Sequence, residues 1–414
     1  MNLMTVDHKH CTGCGACVEA CPQLAVVSVR DRHKFVYPSV DAGQCDYCGR
    51  CEEVCPLRRP LSLSAGDPER TFSPQYYAAA SPDRQVRRDS HAGGVFSLLA
   101  ERVTDEGGVV YGCAFDGSFH PYHRRVTARE DLMSLRGVKP VQSDTAGVFT
   151  AVRRDLQEGR KVLFAGTPCQ CDGLLHFLDY RREGLILVDL LCGGVTSEGI
   201  FHRYLHWLEQ RLGGRVTELR FENQPVFGEH DGLRIVFRRR KLRWLLSYPA
   251  SLDMLTRMLA KGVAARLSCG TCPYACPERV GDISLGRFER LRQAYPDFPL
   301  DGGASLVVLS TPAGEELFES VRDRMTVIRS GRDSAAANRR MTTPVRTGRQ
   351  RKALLDTVFA RDFGAAAARF GSPDLWRTLA EWCRALRPDG LLRKVKKNRE
   401  RLGAWAAGCL RRSG

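Results

Sequence analysis

The sequence lacks several features that define common protein classes. No uninterrupted apolar run approaches the ~18 residues of a membrane-spanning helix, and no secretory signal is found at the Met1 end. No nucleic-acid-binding module is recognisable, and aromatic residues do not alternate with the basic patches. Acidic residues are scarce relative to basic ones, which leaves a net charge of +16. We therefore expect a cytoplasmic protein without a transmembrane segment that binds no nucleic acid.

Cysteine, in contrast, is abundant and clustered. Eight of the 17 cysteines form two runs of identical spacing, Cys-x₂-Cys-x₂-Cys-x₃-Cys-Pro, over residues 11–22 and 45–56. This spacing is typical of bacterial ferredoxins with two 4Fe–4S clusters, in which the fourth cysteine of each run ligates the other cluster. The predicted ligands are a first set, Cys11, Cys14, Cys17 and Cys55, and a second set, Cys45, Cys48, Cys51 and Cys21.

A zinc ribbon and a disulfide knot are the alternatives for these two runs. Zinc sites usually pair two short Cys-x-x-Cys arms rather than two runs of four cysteines. Clustered thiols without a signal sequence are typical of metal ligands in a reducing cytoplasm. The spacing therefore favours iron–sulfur clusters and predicts one-electron transfer.

The chain divides by composition into four segments. We predict an α+β ferredoxin-like dicluster domain, a linker rich in proline, glycine and serine, an α/β domain with a mixed, mainly parallel sheet, and a helical basic C-terminal tail. Two short strands, at 24–29 and 34–37, are expected between the cysteine runs. The predicted boundaries are 1–62, 63–75, 76–330 and 331–414.

The α/β prediction rests on apolar strands that alternate with helices. An antiparallel hairpin over 218–221 and 233–237 is expected at the edge of the sheet, and little core-building material is expected after residue 329. The predicted strands are 109–115, 162–165, 185–191, 282–285 and 305–309. The predicted helices lie near 95–103, 151–156 and 198–212, and a further helix runs through 174–178 after a turn at 166–170.

Further cysteines follow predicted strands of the central segment. Cys169 and Cys192 lie at the carboxyl ends of neighbouring strands, where α/β sheets bind cofactors, and Cys269-x₂-Cys272 follows later. These four, the third set, would ligate a third 4Fe–4S cluster, with Cys276 as an alternative ligand. Alternatively, Cys169 and Cys192 are small buried residues, and the later cysteines hold zinc or nothing.

Ordered motifs across the central segment resemble a known family. They include His123, which matches a histidine that recurs in that family, and the Asp-Leu-x-x-Leu-Arg-Gly stretch at 131–137. Further motifs lie at 90–96, 107–112, 162–170, 188–192, 267–272 and 281–286. Together with the cysteine runs, they resemble the family of coenzyme F420 hydrogenase/dehydrogenase beta subunits, in the subgroup with an N-terminal ferredoxin domain carrying two 4Fe–4S clusters. The resemblance covers about residues 1–330.

The resemblance implies that the central domain binds FAD beside a 4Fe–4S cluster, with coenzyme F420 or another reducible organic substrate as hydride partner. It implies catalytic roles for Lys139 and His123. A cation at Lys139 would stabilise negative charge on a reduced flavin. The expected flavin-binding residues are Ser90, Ala92, Gly93, Gly94, Thr167 and Gln170.

Each of these roles has a simpler alternative. A surface lysine, a structural histidine and an ordinary helix entry at Gly93-Gly94 would explain the same residues. The chain also departs from the family at 138–140, 192–194 and 286–289, where it carries Val-Lys-Pro, Cys-Gly-Gly and Gly-Arg-Phe-Glu. These departures affect positions expected to face flavin or substrate and leave the cluster cysteines intact.

Two functions follow from the sequence. The first is an iron–sulfur flavoprotein oxidoreductase that exchanges electrons with a redox partner protein or a small hydride carrier. The alternative is a non-catalytic electron-transfer subunit that docks on an acidic partner enzyme through 238–241 and the basic tail, with surface-polysaccharide biosynthesis as one setting. In the tail, the basic amphipathic stretch 391–410 predicts either peripheral membrane contact or a solvated helix.

Overall fold

The computed structural model describes residues 7–58, 73–223, 231–240, 242–301 and 303–371. Predictions for most of the linker and for the tail beyond residue 371, including 391–410, lie outside the described residues. The strands are β1 Val26–Arg30, β2 Val36–Val40, β3 Gln75–Ala80, β4 Val109–Phe115, β5 Pro121–Val126, β6 Val162–Gly166, β7 Leu185–Leu190, β8 Arg215–Asn223, β9 Asp231–Arg239, β10 Leu242–Pro249, β11 Ile283–Arg287, β12 Ser305–Leu309 and β13 Thr326–Ser330.

The helices alternate with these strands through the central part of the chain. They are α1 Ala16–Glu19, α2 Arg50–Glu53, α3 Arg84–Asp89, α4 Val95–Asp105, α5 Val148–Gln157, α6 Pro168–Phe177, α7 Glu198–Leu212, α8 Met254–Ala260, α9 Leu291–Ala294, α10 Pro312–Glu319, α11 Arg332–Ala336, α12 Arg351–Ala360 and α13 Phe363–Ala366.

A mixed sheet of eight strands forms the centre, in the order β13-β3-β12-β11-β7-β6-β4-β5. The inner strands β11, β7, β6 and β4 are parallel to one another. The other four of the seven pairings are antiparallel, so the prediction of a mainly parallel sheet is wrong. Strands buried on both faces show the same continuous apolar pattern in either orientation, which is why the sequence did not separate the two.

Helices cover both faces of this sheet. On one face, α4 and α10 bury apolar side chains such as Leu99 and Phe318 against the strands. On the other face, α5 and α6 do the same with Phe149 and Leu174. The second core also contains residues of the dicluster region, among them Ala16 of α1 and Val54. The dicluster region therefore packs on the α5–α6 face.

The dicluster region has the two short helices and the hairpin that its length permits. β1 and β2 pair antiparallel, with Val26 opposite Val40, and this confirms the two strands predicted between the cysteine runs, shifted by about two residues. Residues up to Gly371 fall in one compact unit. The division of this unit into separate domains at the predicted boundaries stays a prediction.

A second, three-stranded antiparallel sheet has the order β10-β9-β8. The predicted hairpin forms β8 and β9, but it belongs to this sheet and not to the edge of the large one. Together with α7, α12 and α13, this sheet encloses a further core. Leu354, Leu355 and Val358 of α12 are fully buried there. Residues 351–370 thus supply core material, and the expectation of little such material after residue 329 is wrong.

None of the helices in the described residues combines the length and the apolarity needed to cross a membrane.

Candidate functional site

The two ferredoxin-type runs place their cysteines around α1 and α2. Burial raises the pKa of the Cys17 thiol to about 12, and neighbouring Cys11 and Cys55 add to the increase. In the same way, burial raises the pKa of Cys51, with contributions from Glu52 and Cys21. Cys55 therefore lies beside the first run and Cys21 beside the second, which is the crossed arrangement that the sequence predicts. The individual ligand assignments stay predictions.

The first set opens into a cavity. Its lining includes Cys11, Cys14, Cys17 and Cys55, with Gln142 from the central region. Gln142 Nε2 donates hydrogen bonds to the carbonyl oxygens of Thr12 (3.0 Å) and Gly13 (2.8 Å). Gln142 of the central region thus stabilises the loop that carries the first cysteine run. The spacing of the motif did not reveal this contact.

The third set converges between the carboxyl ends of β6 and β7 and the short helical turn Leu267–Thr271. Thr167 and Gln170 form a capping box that starts α6 with Pro168 in its first turn, and this fixes Cys169 at the start of the helix. Burial, together with Cys192, Cys272 and Cys269, raises the pKa of Cys169. The structure therefore brings together the four cysteines of the third set, which come from three separate stretches of the sequence.

The first and third sets adjoin each other. A side chain at Gly173 of α6 would place its Cβ only 2.9 Å from Cys14 Sγ, so Cys14 rests directly on the helix that begins beside Cys169. Burial raises the pKa of Cys14, and Cys169 is among the neighbouring thiols that add to the increase. A path from the dicluster region to the centre of the sheet is therefore short.

The ligand type of the three sets suits iron–sulfur clusters. All fifteen cysteines in the described residues are free thiols. A 4Fe–4S cluster is held by cysteine thiolates, four for each cluster, and each of the three sets contains four cysteines. The residues present therefore fit 4Fe–4S clusters.

A buried ion pair supports the third set. Arg279 is 4% exposed and its Nη2 donates to Asp189 Oδ2 at 3.0 Å. Its charge lowers the pKa of Cys272, against the larger effect of burial. Asp189 lies on β7 just before Cys192, and Arg279 comes from the loop after Cys276. Sequence reasoning missed this pair because a buried arginine has no characteristic spacing.

His123 belongs to a buried hydrogen-bond chain that leads to the third set. Its Nε2 donates to the carbonyl oxygen of Ala165 (3.1 Å), so its Nδ1 accepts from Ser143 Oγ (2.9 Å). Ser143 Oγ in turn accepts from Gln170 Nε2 at 3.0 Å. Gln170 Oε1 accepts from Thr167, whose Oγ1 lies 3.2 Å from Cys169 Sγ. Three predicted site residues, His123, Thr167 and Gln170, are therefore joined in one network.

Burial lowers the pKa of His123 from 6.5 to about 4. The unfolded chain binds this proton near pH 6.5, so stability is unaffected above that pH and decreases as pH falls toward 4. We expect a loss of roughly 1 kcal/mol in the free energy of unfolding between pH 7 and 5.5. Anaerobic thermal unfolding across this range measures it.

The comparison requires a variant without the titrating ring and a surface control. His123→Gln should show a shallower decrease, whereas His206→Gln, at an exposed position of α7, should keep the decrease of the wild type. Equal losses in the wild type and His123→Gln would show that the buried imidazole does not cause the effect.

Lys139 lies outside this network and is partly buried. Its Nζ donates to the carbonyl oxygens of Arg136 (2.7 Å), Ser134 (3.2 Å) and Gly137 (3.4 Å). Burial lowers its pKa from 10.5 to about 8. The ammonium group thus holds the 134–137 loop, and its predicted role at a flavin stays a prediction.

The helix start predicted to bind flavin is engaged by the fold itself. Ser90, Ala92, Gly93 and Gly94 are buried at the beginning of α4. The Gly93 N–H donates to Ser305 Oγ at 3.1 Å, and a Cβ at Gly93 would clash with the carbonyl oxygen of Ala79. Gly93 therefore serves the close packing of α4 on β3 and β12. Because its N–H already donates to Ser305 Oγ, Gly93 is not available as a hydrogen-bond donor to a pyrophosphate. A flavin role for this stretch stays a prediction.

Comparison with known proteins assigns the class first. Residues 10–58 match the 4Fe-4S dicluster domain. Since that domain lies beside a converging third set of cysteines, the chain is an iron–sulfur electron-transfer protein of the oxidoreductase class. Residues 159–330 match the family described as the C terminus of the beta subunit of coenzyme F420 hydrogenase/dehydrogenase, and this part of the chain belongs to that family. The family predicted from the sequence is confirmed.

Two relatives illustrate the relationship. The chain is 24% identical over 332 residues to the F subunit of the F(420)H(2) dehydrogenase from Methanosarcina mazei, covering 78% of this chain and 85% of the relative. A chain of the F420-reducing NiFe hydrogenase complex from Methanosarcina barkeri, solved as a xenon derivative, is 17% identical with a TM-score of 0.42. That match covers 68% of this chain and 90% of the other.

Proposed function

We propose that this chain moves single electrons through three 4Fe–4S clusters and exchanges them with an organic hydride carrier. The hydride partner is coenzyme F420 or another reducible organic substrate, and FAD is the second cofactor. The observation that carries the electron path is the direct contact of Cys14 with α6 at Gly173, which joins the first set to the third. The name of the Methanosarcina mazei relative supports F420 as the carrier, and the family resemblance supports FAD.

The residues of the chain provide the environment for this transfer. The third-set thiols are held at fixed positions by the start of α6, the end of β7 and the turn Leu267–Thr271. Cys169 and Cys192 are partly buried, which limits their contact with water. When bound, the clusters carry electrons singly, whereas a flavin also accepts or donates a hydride.

A second candidate function is electron delivery to a partner enzyme. The edge strand β10 carries three exposed apolar side chains, Leu242, Leu245 and Trp244, which are 63%, 61% and 37% exposed. Exposed arginines at 238–240 lie at the adjoining end of β9. An edge strand with exposed apolar side chains beside positive charge suits docking to a protein with an acidic rim, and such docking would weaken as salt is added.

Anaerobic purification with cofactor analysis tests the proposal. We expect roughly twelve irons per chain, four for each of three clusters, together with flavin absorbance. About eight irons without flavin would contradict it. Incubation of the isolated protein with reduced coenzyme F420 and a dye then separates the candidates. Dye reduction by the protein alone supports catalysis, and reduction only after a partner is added supports electron delivery.

A further inference from the structure

Arg266 is the largest fully buried side chain among the described residues, with 1% of its surface exposed. It precedes the turn Leu267–Thr271, which carries Cys269 of the third set. The Arg266 carbonyl oxygen accepts from the Cys269 N–H at 3.1 Å. This backbone hydrogen bond fixes Arg266 beside Cys269, a predicted cluster ligand.

The side chain of Arg266 reaches the other way, into the first set. Its Nε donates to the carbonyl oxygen of Cys11 (2.9 Å), and its Nη2 lies 3.9 Å from Cys11 Sγ. Its remaining hydrogen bonds go to Gln142 Oε1 (2.8 Å) and the carbonyl oxygen of Val36 (2.7 Å). The guanidinium also stacks over Tyr37, with 4.3 Å to the ring centroid. One side chain therefore joins the loops that carry the two neighbouring sets.

Every hydrogen-bond partner of this guanidinium is electrically neutral, apart from the Cys11 sulfur. In the part of the chain that the structure describes, no carboxylate forms an ion pair with it. An arginine does not lose its proton in a protein, and an isolated buried charge is strongly unfavourable. A nearby anion would offset this cost, and the cysteine sulfurs of the first and third sets become anionic thiolates when they ligate a cluster.

Both neighbouring sets lie close to this charge. Arg266 Nη2 lies 3.9 Å from Cys11 Sγ, and the Arg266 carbonyl oxygen accepts from the Cys269 N–H in the adjoining turn. A 4Fe–4S cluster with four thiolates carries net negative charge and gains one more on reduction. A fixed cation nearby therefore stabilises the reduced form more than the oxidised form, and charge of this kind sets cluster potentials.

We propose that Arg266 is a counter-cation shared by the clusters of the first and third sets, and that its charge raises the reduction potential of both. The inference rests on the proposed function, since it requires a cluster at each set. Arg266 touches ligands and not a substrate, so it is a positioning residue that keeps two adjacent carriers reducible.

Redox titration of the anaerobically purified full-length protein, followed by electron paramagnetic resonance, tests this role. In Arg266→Gln we expect the ratio of reduced to oxidised cluster, at a given potential, to fall at least tenfold for the first and third sets. A tenfold change in this ratio corresponds to a decrease of about 59 mV in the reduction potential of a one-electron couple. The second set is the internal reference, because none of the Arg266 hydrogen bonds reaches it, and its potential should stay unchanged.

Two further variants separate charge from packing. Arg266→Lys keeps the charge and should keep both potentials close to those of the wild type, even if it loads less iron. Arg243→Gln removes a charge from an exposed position paired with Glu218 and should leave all three potentials unchanged. If Arg266→Gln fails to load clusters while Arg266→Lys loads them, the charge itself is required and the proposal is supported.

The opposite results overturn the proposal. Unchanged potentials in a fully loaded Arg266→Gln, or equal defects in the Gln and Lys variants, would leave Arg266 with a packing role only. A wild-type protein that lacks the third-set signal would instead contradict the proposed function, so the two failures are distinguishable by the iron count and the spectrum of the wild type.

Discussion

Replacement of Cys169 by alanine should remove about four of the roughly twelve irons per chain and leave the two ferredoxin-type clusters in place. Cys169 stands at the first turn of α6, and Cys192, Cys269 and Cys272 surround it. Cys171, two residues further along α6, has its Sγ 3.9 Å from the carbonyl oxygen of Val188, so we do not expect it to replace the lost thiolate. Iron and acid-labile sulfide analysis, combined with the spectrum of the reduced protein, measures the loss.

The same variant should lose electron exchange with a hydride donor, because the proposed electron path runs from the first set to the third set across the contact of Cys14 with α6. Cys171→Ala is the matched control. Cys171 is a fully buried thiol of the same helix, and its Sγ faces the carbonyl oxygen of Val188 at 3.9 Å. It should cost about 1 kcal/mol of stability for the lost packing and no iron. Twelve irons retained in Cys169→Ala would refute the assignment of this ligand.

The parts of the site that were predictable from sequence are those whose residues are close together in the chain. The two ferredoxin-type runs each fit within about a dozen residues, so their spacing alone identifies a dicluster domain, and the comparison confirms it. Thr167 and Gln170 are likewise three residues apart and fix the start of α6 by a local rule. The buried strands β4, β6, β7 and β12 were predicted for the same reason, since each is a continuous apolar run.

The parts that were not predictable depend on contacts between distant residues. Arg266 meets the carbonyl oxygen of Cys11 across 255 positions of sequence, and Ser143 meets His123 across 20. Such a long-range contact leaves no periodic pattern in the sequence. The strands β3 and β13 were missed because they are stabilised by long-range pairing: β3 pairs with both β12 and β13, across most of the domain. The neutral histidine and the arginine without a carboxylate partner are properties of the folded chain alone.

Gly173 is one such long-range feature, and its substitution should have the second large effect. Alanine usually stabilises a helix relative to glycine by about 1 kcal/mol. Here, however, the new Cβ would lie 2.9 Å from Cys14 Sγ and 3.0 Å from Cys14 Cβ. Cys14 is buried and belongs to a loop tied by Thr145 Oγ1, which donates to the Cys14 carbonyl oxygen at 3.1 Å. Neither side can move freely, so Gly173→Ala should destabilise the protein by ~1–3 kcal/mol.

We expect the effect of Gly173→Ala on the interaction between the first-set and third-set clusters to be larger than its effect on stability. If the first set is displaced from α6, its cluster moves away from the third set, and the magnetic interaction between the two reduced clusters should weaken while the iron content stays near that of the wild type. Gly117→Ala is the control, because a Cβ there meets no atom within 4 Å. That variant should be neutral or stabilised by up to ~1 kcal/mol. An unchanged interaction in Gly173→Ala would show that the contact between Cys14 and α6 does not set the spacing of the two clusters, and the electron path would then have to leave the dicluster region elsewhere.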